Sequence, residues 1–301
     1  MRKQYICITM IMLACFSVMY SCAQMVQVGT GAGQHMGIIS AQNKALIDET
    51  ATKTFKALRP MTEKEEYILG RAVAATILNQ YTLDQDQGLT EYVNQVGQAL
   101  ALSSDVPITY GGYHFAVLAT EEVNALSCPG GIIFISRGML NRASNEEELA
   151  SILAHEIAHV NHRDGVKAIK SSRWAEVVAA LGTNIAGRYG PQNLTNLTQL
   201  FEGSVDDIVK TMVVNGYSRQ QEKDADRSAL ILLQRVGYDP NSFADYLEKL
   251  AREQEAGSRK GFFSTHPAMT DRLAIVNDII AQNNWQRAAH TIRDQRYASL
   301  R

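Results

Sequence analysis

The sequence has 301 residues, enough to bury one large core or two small ones. Charged residues make up 20% and hydrophobic residues 46%, with a formal net charge of −2 and a pI near 6.4. These are ordinary globular values; they give no electrostatic reason to expect a nucleic-acid partner, and no low-complexity tract suggests folding on binding.

The N-terminus differs from the rest. Arg2 and Lys3 precede the apolar run YICITMIMLACFSVMY and then SCAQ, the layout of an export signal. The run is short for a membrane span, which needs roughly 20 residues. Two processing sites overlap. The reading adopted is a bacterial lipoprotein signal over 1–22 with lipid on Cys22; the alternative is a cut after Ala23. Residues 23–47, rich in Gly, Gln, Ala and Ser, read as a flexible tether, leaving 48–301 as the folded body. An exported, periplasmic protein held to a membrane (the outer one favoured) through one lipidated end is expected. Of the four cysteines, Cys7, Cys15 and Cys22 lie in the signal, so Cys128 has no intramolecular partner and disulfides do not build the body.

Thr62 and Glu65 form a capping box ahead of a helical pattern, and a second amphipathic segment covers 87–102. YHFAVLA (113–119) and GIIFISR (131–137) read as strands joined through a tight turn in NALSCPGG. Helices follow. One opens on a Ser144–Glu147 box, and others are expected over 172–187, 218–236, 240–255 with Asp239 as cap, and 267–282. The pattern is α+β and predominantly helical, with a small sheet just before the helix of interest.

That helix carries HEIAH, His155 to His159. Residues four apart lie one above the other, so both imidazoles leave one face. Glu156 is offset by about 100°, well placed to reach a water at a shared ion and badly placed to ligate it. A catalytic zinc site takes three protein ligands and keeps one position open, so HExxH supplies two ligands and a general base. Histidines at the edge of a core would explain either residue alone, though not the three fixed positions together. For the third ligand, His162 is too close on the same helix, and the metzincin spacing would need histidine at Gly165. Asp164 lies at or beyond the helix end. Glu222 sits on a separate predicted helix with Asp226 one turn on, which suits a ligand plus an acceptor for the outer N–H of a ligating histidine. A solvated first helical turn explains the same pair if it stands alone.

HEIAHVNHRD, SRQQEKDADRSA, STHPAMTDRL and, upstream, NALSCPGGIIFISRGML resemble the gluzincin metallopeptidases of the HtpX and CAAX-prenyl-endopeptidase type. The soluble bacterial envelope members are the most similar, and the likeness covers about residues 61–282. It implies a zincin-like domain holding one zinc on His155, His159 and Glu222, with Glu156 catalytic, Asp226 behind the ligands, and PGGIIFIS beside the active-site helix. Where the family often has an aliphatic residue, this chain has Cys128, read as a small buried hydrophobe with a zinc-reaching thiol as the alternative. The integral members' membrane helices have no counterpart here.

In this reading Glu156 takes a proton from the attacking water and returns it to the leaving amine. His266 is expected to donate to the developing negative oxygen, with a reversible fourth ligand or a helix cap as alternatives. Arg272 is read as a surface residue, although it could orient a carboxylate. Ile132, Ile133, Phe134, Ile135 and Ser136 are expected to receive an extended peptide by strand addition, and 188–216 to cover the cleft. Main-chain recognition suits unfolded or misassembled protein substrates. The competing reading is a non-catalytic, chaperone-like zinc lipoprotein, which has no use for Glu156. Oligomeric state is not legible.

Overall fold

A computed structural model describes residues 34, 40–45, 60–169, 202–257, 261–266, 269–288 and 291–299. The chain divides into two compact units, 1–61 with 171–185, and 62–170 with 186–301. Only the second carries the candidate site residues of the folded body. The expected helix over 172–187, Cys22 and the tether (apart from residues 34 and 40–45) fall outside the described residues.

The second unit begins with α1 (Glu63–Leu78) and α2 (Gln87–Ala101), capped by Thr62, with the expected box to Glu65, and by Asp86. Three strands follow, β1 (His114–Leu118), β2 (Ala125–Cys128) and β3 (Ile132–Ser136), in the order β1-β3-β2. This corrects the expectation of two strands joined through a tight turn. NALSC contributes a strand of its own, which pairs antiparallel with β3, while β1 and β3 run parallel. The tight turn joins β2 to β3 at Gly130 and Gly131, whose φ of 78° and 104° suit only glycine.

The strand edges differ in how they are filled. β3 is central and paired on both sides. The outer edge of β1 is occupied: the Asn94 carboxamide on α2 donates to Phe115 O (2.5 Å) and accepts from Phe115 N (3.1 Å), and Gln98 donates to Tyr113 O (2.5 Å). A side-chain amide thus stands in for a neighbouring strand. In β2, Ser136 N bonds to Asn124 O, so by antiparallel alternation Ala125 and Ser127 turn their main-chain groups away from β3.

After the short α3 (Arg137–Leu140) comes α4 (Glu146–His162), the central helix, buried along Leu149, Leu153 and Ile157. Its cap is Asn145, accepting from Glu148 N at 2.9 Å, one residue later than the expected Ser144–Glu147 box. Asn caps as well as Ser, and the shift frees Glu147 to accept from Asp239 N at 2.7 Å. Arg163 ends α4 with φ 58° before the single turn α5 (Asp164–Lys167). The remaining helices are α6 (Glu202–Lys210), α7 (Arg219–Val236), α8 (Asn241–Glu255), α9 (Phe262–Thr265), α10 (Met269–Gln282) and α11 (Thr291–Ala298). Of the expected cover over 188–216, the described part is α6 and a π-helical turn, Thr211–Asn215.

The N-terminus of α4 is pinned from several sides. Glu146 accepts from Tyr238 OH at 2.8 Å, from Tyr92 OH and from both arms of Arg296, while Glu147 pairs with Arg293 and Glu148 with Lys249. Acidic groups there also face the positive end of the helix dipole. α7 crosses α4 as its main partner, which brings Glu222 and Asp226 to the HExxH face.

Asn94→Ala should lower the unfolding free energy by about 1–3 kcal/mol, because Phe115 N–H and C=O lose their partner in a half-buried place. Urea denaturation measures this, and an unchanged midpoint and slope would mean the carboxamide contributes nothing to the edge.

Candidate active site

His155 and His159 lie one turn apart on α4 with their Nε2 atoms 3.1 Å from each other. Glu222 comes from the first turn of α7, held by a Ser218–Gln221 capping box, and places its oxygens 3.5 Å from both Nε2 atoms. His266, at the end of α9, puts Nδ1 2.9 and 3.1 Å from the Glu222 oxygens and 3.3 Å from His155 Nε2. Ligand atoms of these four residues all lie within 4.8 Å of one another. All four side chains are 2% exposed or less.

The opposite ring nitrogens are held by carboxylates. His155 Nδ1 lies 3.0 Å from Asp226 Oδ1, and His159 Nδ1 lies 2.9 Å from Asp164 Oδ2. Such partners fix the tautomer, direct Nε2 at the ion and raise its basicity. Asp164, considered from the sequence as a ligand, therefore sits behind one. His162 faces Ser228 Oγ at 3.0 Å and takes no part.

Arg272 corrects the expectation of a surface residue. It is 3% exposed and grips Asp226 with two bonds of 2.9 and 2.6 Å while Nη1 lies 3.0 Å from Glu222 Oε2. One guanidinium thus orients both the Glu222 carboxylate and the carboxylate behind His155. The sequence signal was the helical spacing of Glu222 and Asp226 as two buried acids, which need a buried cation.

The electrostatics favour positive charge at the centre. Burial opposes a charged His159, yet Asp164 and Glu222 outweigh it and lift its pKa to about 10. Burial likewise opposes ionised Glu222, but His266 and Arg272 hold it well below the usual carboxylate range. Asp226 is lowered too, with Arg272 overcoming its burial.

Glu156 is 1% exposed, and neither carboxylate oxygen has a hydrogen-bond partner among the described residues; its nearest ring nitrogen is His266 Nε2 at 3.8 Å. A buried carboxylate with no partner at the face of two imidazoles and a carboxylate fits a dication with a water beside it, and the nitrogen-and-oxygen donor set suits zinc.

The residues 88–280 match the model of peptidase family M48, well over half of the chain. The chain belongs to peptidase family M48. Zinc is the metal of that family, in agreement with the donor set. A relative, the beta-barrel assembly-enhancing protease of Escherichia coli (strain K12), is 29% identical over 215 residues, covering 70% of this chain and 42% of that protein. The chain therefore spans less than half the length of that relative. Metalloprotease YcaL of Escherichia coli (strain K12) is 26% identical over 223 residues, 71% of this chain and 82% of that protein. The mitochondrial metalloendopeptidase OMA1 of Schizosaccharomyces pombe is 28% identical over 166 residues, 54% of this chain and 45% of that protein.

Two further expectations are settled by the geometry. Strand addition to Ile132–Ser136 is blocked, since both edges of β3 are taken by β1 and β2. Cys128 is fully buried on β2, and burial pushes its thiol pKa up, which disfavours the thiolate that zinc needs. A residue missed in the sequence is Tyr217, 6% exposed, whose ring stacks on His159 with centroids 4.2 Å apart.

Arg272→Ala should weaken zinc binding by about 10- to 100-fold, the usual loss for groups that orient ligands. Competition with a chromogenic chelator measures it, and wild-type affinity would show that Arg272 only fills space.

Proposed function

We propose that the chain is a zinc-dependent endopeptidase of the bacterial envelope, acting on unfolded or misassembled proteins. The observation that carries the reading is the partnerless Glu156 carboxylate at the face of His155, His159 and Glu222. A chaperone-like zinc module gains nothing from such a group and bears the cost of burying it.

Zinc, when bound, supplies Lewis acidity and acidifies water. Glu156 takes the proton of the attacking water and delivers it to the amine nitrogen as the peptide bond breaks. Asp226 and Asp164 keep His155 and His159 oriented throughout, and Arg272 keeps Glu222 in place. His266, with Nδ1 on Glu222, stands where a fourth ligand would stand. We assign it as a reversible donor that must yield before reaction, in preference to the oxyanion role its sequence position suggested.

Substrate is proposed to add to β2 rather than β3. Of the three strands, β2 alone turns main-chain groups, those of Ala125 and Ser127, to an edge that no other described strand or carboxamide fills. Main-chain pairing at such an edge is largely blind to side chains and demands an extended chain. Phe262, whose ring stacks on His266, has to part for entry, which disfavours folded proteins. The name of the Escherichia coli relative, which concerns β-barrel assembly, supports an envelope setting. Export, with lipid on Cys22, belongs to the same proposal, as does a periplasmic location. Among the described residues no helix is long and apolar enough to cross a membrane.

Glu156→Gln should keep about one zinc per chain and the wild-type melting temperature, yet lose casein hydrolysis by several orders of magnitude. Hydrolysis at the wild-type rate would overturn the mechanism. For location, mass spectrometry of the mature protein should find a diacylglycerol on an N-terminal Cys22, whereas a chain starting at Gln24 would refute lipidation.

A further inference from the structure

Beside the metal-ligand cluster, the side-chain hydroxyls of Tyr217 and Ser127 are buried and, like the Glu156 carboxylate, have no hydrogen-bond partner among the described residues. The two hydroxyls lie close enough to influence each other, without the geometry of a hydrogen bond. The great majority of buried polar groups are paired, and each orphan costs the fold stability. Three orphans in one place mark where something polar is received. Glu156 already has its role as the base. Ser127 lies on β2, whose outer edge pairs with no other described strand and is where the proposed peptide would run.

Tyr217 is the group whose position is most tightly fixed. Its ring lies nearly parallel to His159, at 4.2 Å and 27°, and edge-on to His266 at 6.0 Å. Its backbone N–H donates to Thr265 O at 3.1 Å, tying it to α9. Gly216, with φ 75°, precedes it, and Ser218, the cap of the helix that bears Glu222, follows. The phenol is thus anchored on both sides to segments that carry metal-ligand candidates, while its hydroxyl is left unused. Burial pushes the pKa of that hydroxyl well up, and among the charges acting on it Glu156 is the strongest, ahead of Asp164 and Glu222.

Peptide hydrolysis needs a donor for the carbonyl oxygen as it gains negative charge, aimed before the reaction begins. His266 does not supply it from its present position, because a neutral imidazole that donates its Nδ1 proton to Glu222 has none left on Nε2. We propose that the Tyr217 hydroxyl is a catalytic residue, the hydrogen-bond donor to the carbonyl oxygen of the peptide bond being cut. The phenol keeps its proton; no covalent bond to it forms or breaks, and only the hydrogen bond strengthens as charge builds. The inference rests on the peptidase reading and adds a residue to it.

The test is Tyr217→Phe in the full zinc-loaded chain, which keeps the ring stack and removes only the oxygen. The expected result is wild-type zinc content, a melting temperature equal to or above wild type, kcat reduced about 10²-fold and KM changed less than about threefold. In parallel, a phosphinic peptide mimicking the tetrahedral state should bind Tyr217→Phe at least about tenfold more weakly. An uncleaved peptide should bind Glu156→Gln and Glu156→Gln/Tyr217→Phe equally. A kcat within twofold of wild type, lost zinc or a lowered melting temperature in Tyr217→Phe would each overturn the proposal. Wild-type protein that cleaves no peptide at all would instead bring down the peptidase reading on which it stands.

Discussion

Four carboxylates, those of Glu156, Asp164, Glu222 and Asp226, lie within the core with 1% exposure or less. Bringing ionised groups out of water is expensive, and the attraction that offsets it must come from close, well-directed positive charge. Arg272 neutralises part of this cluster by bridging Asp226 and Glu222, and Lys167 reaches Asp164 at 3.0 Å. The remainder is organised around two imidazoles that present one nitrogen each to a common point. A dication at that point would offset the remaining negative charge, and Asp164 and Glu222 lift the pKa of His159 for the same reason. The rest of the unit can be understood as what holds these groups in register.

That holding is done by crossing helices and by polar anchors rather than by the sheet alone. α4 carries two of the candidate ligands and the candidate base, and its first turn is fixed through Glu146, Glu147 and Glu148 to the α7–α8 connection, α8 and α11. α7 brings the third candidate, Glu222, and α10 brings the arginine that pairs with it. Losing Arg296 or Lys249 takes the cation away from buried Glu146 or Glu148, the costly half of a salt bridge. The sheet serves a different purpose. Its β2 edge pairs with no other described strand, while Asn94 and Gln98 seal the outer edge of β1.

Much of this was legible in the sequence where chemistry and spacing coincide. HExxH on a periodic helix, Glu222 with Asp226 four residues on, and the box at Thr62 are local patterns whose physics acts within one or two turns. The parts that were not legible depend on distant contacts. Asn145 caps α4 in place of Ser144 because Glu147 is drawn to Asp239 and Arg293, far along the chain. β2 was taken for a turn since four residues, ALSC, give no alternation to read. The buried role of Arg272 and the place of Tyr217 against His159 follow from how α7, α9 and α10 meet, which no local spacing encodes.

The central claim is that one zinc is held by His155, His159 and Glu222, with Asp226 and Asp164 behind the histidines. A crystal structure of the zinc-loaded protein with anomalous scattering at the zinc edge tests it most directly. The account predicts one site, with Nε2 of both histidines at about 2.0–2.1 Å and a Glu222 oxygen at about 2.0–2.2 Å. Zinc held instead by Asp164 or Asp226, or bound to Cys128 sulfur at about 2.3 Å, would contradict it.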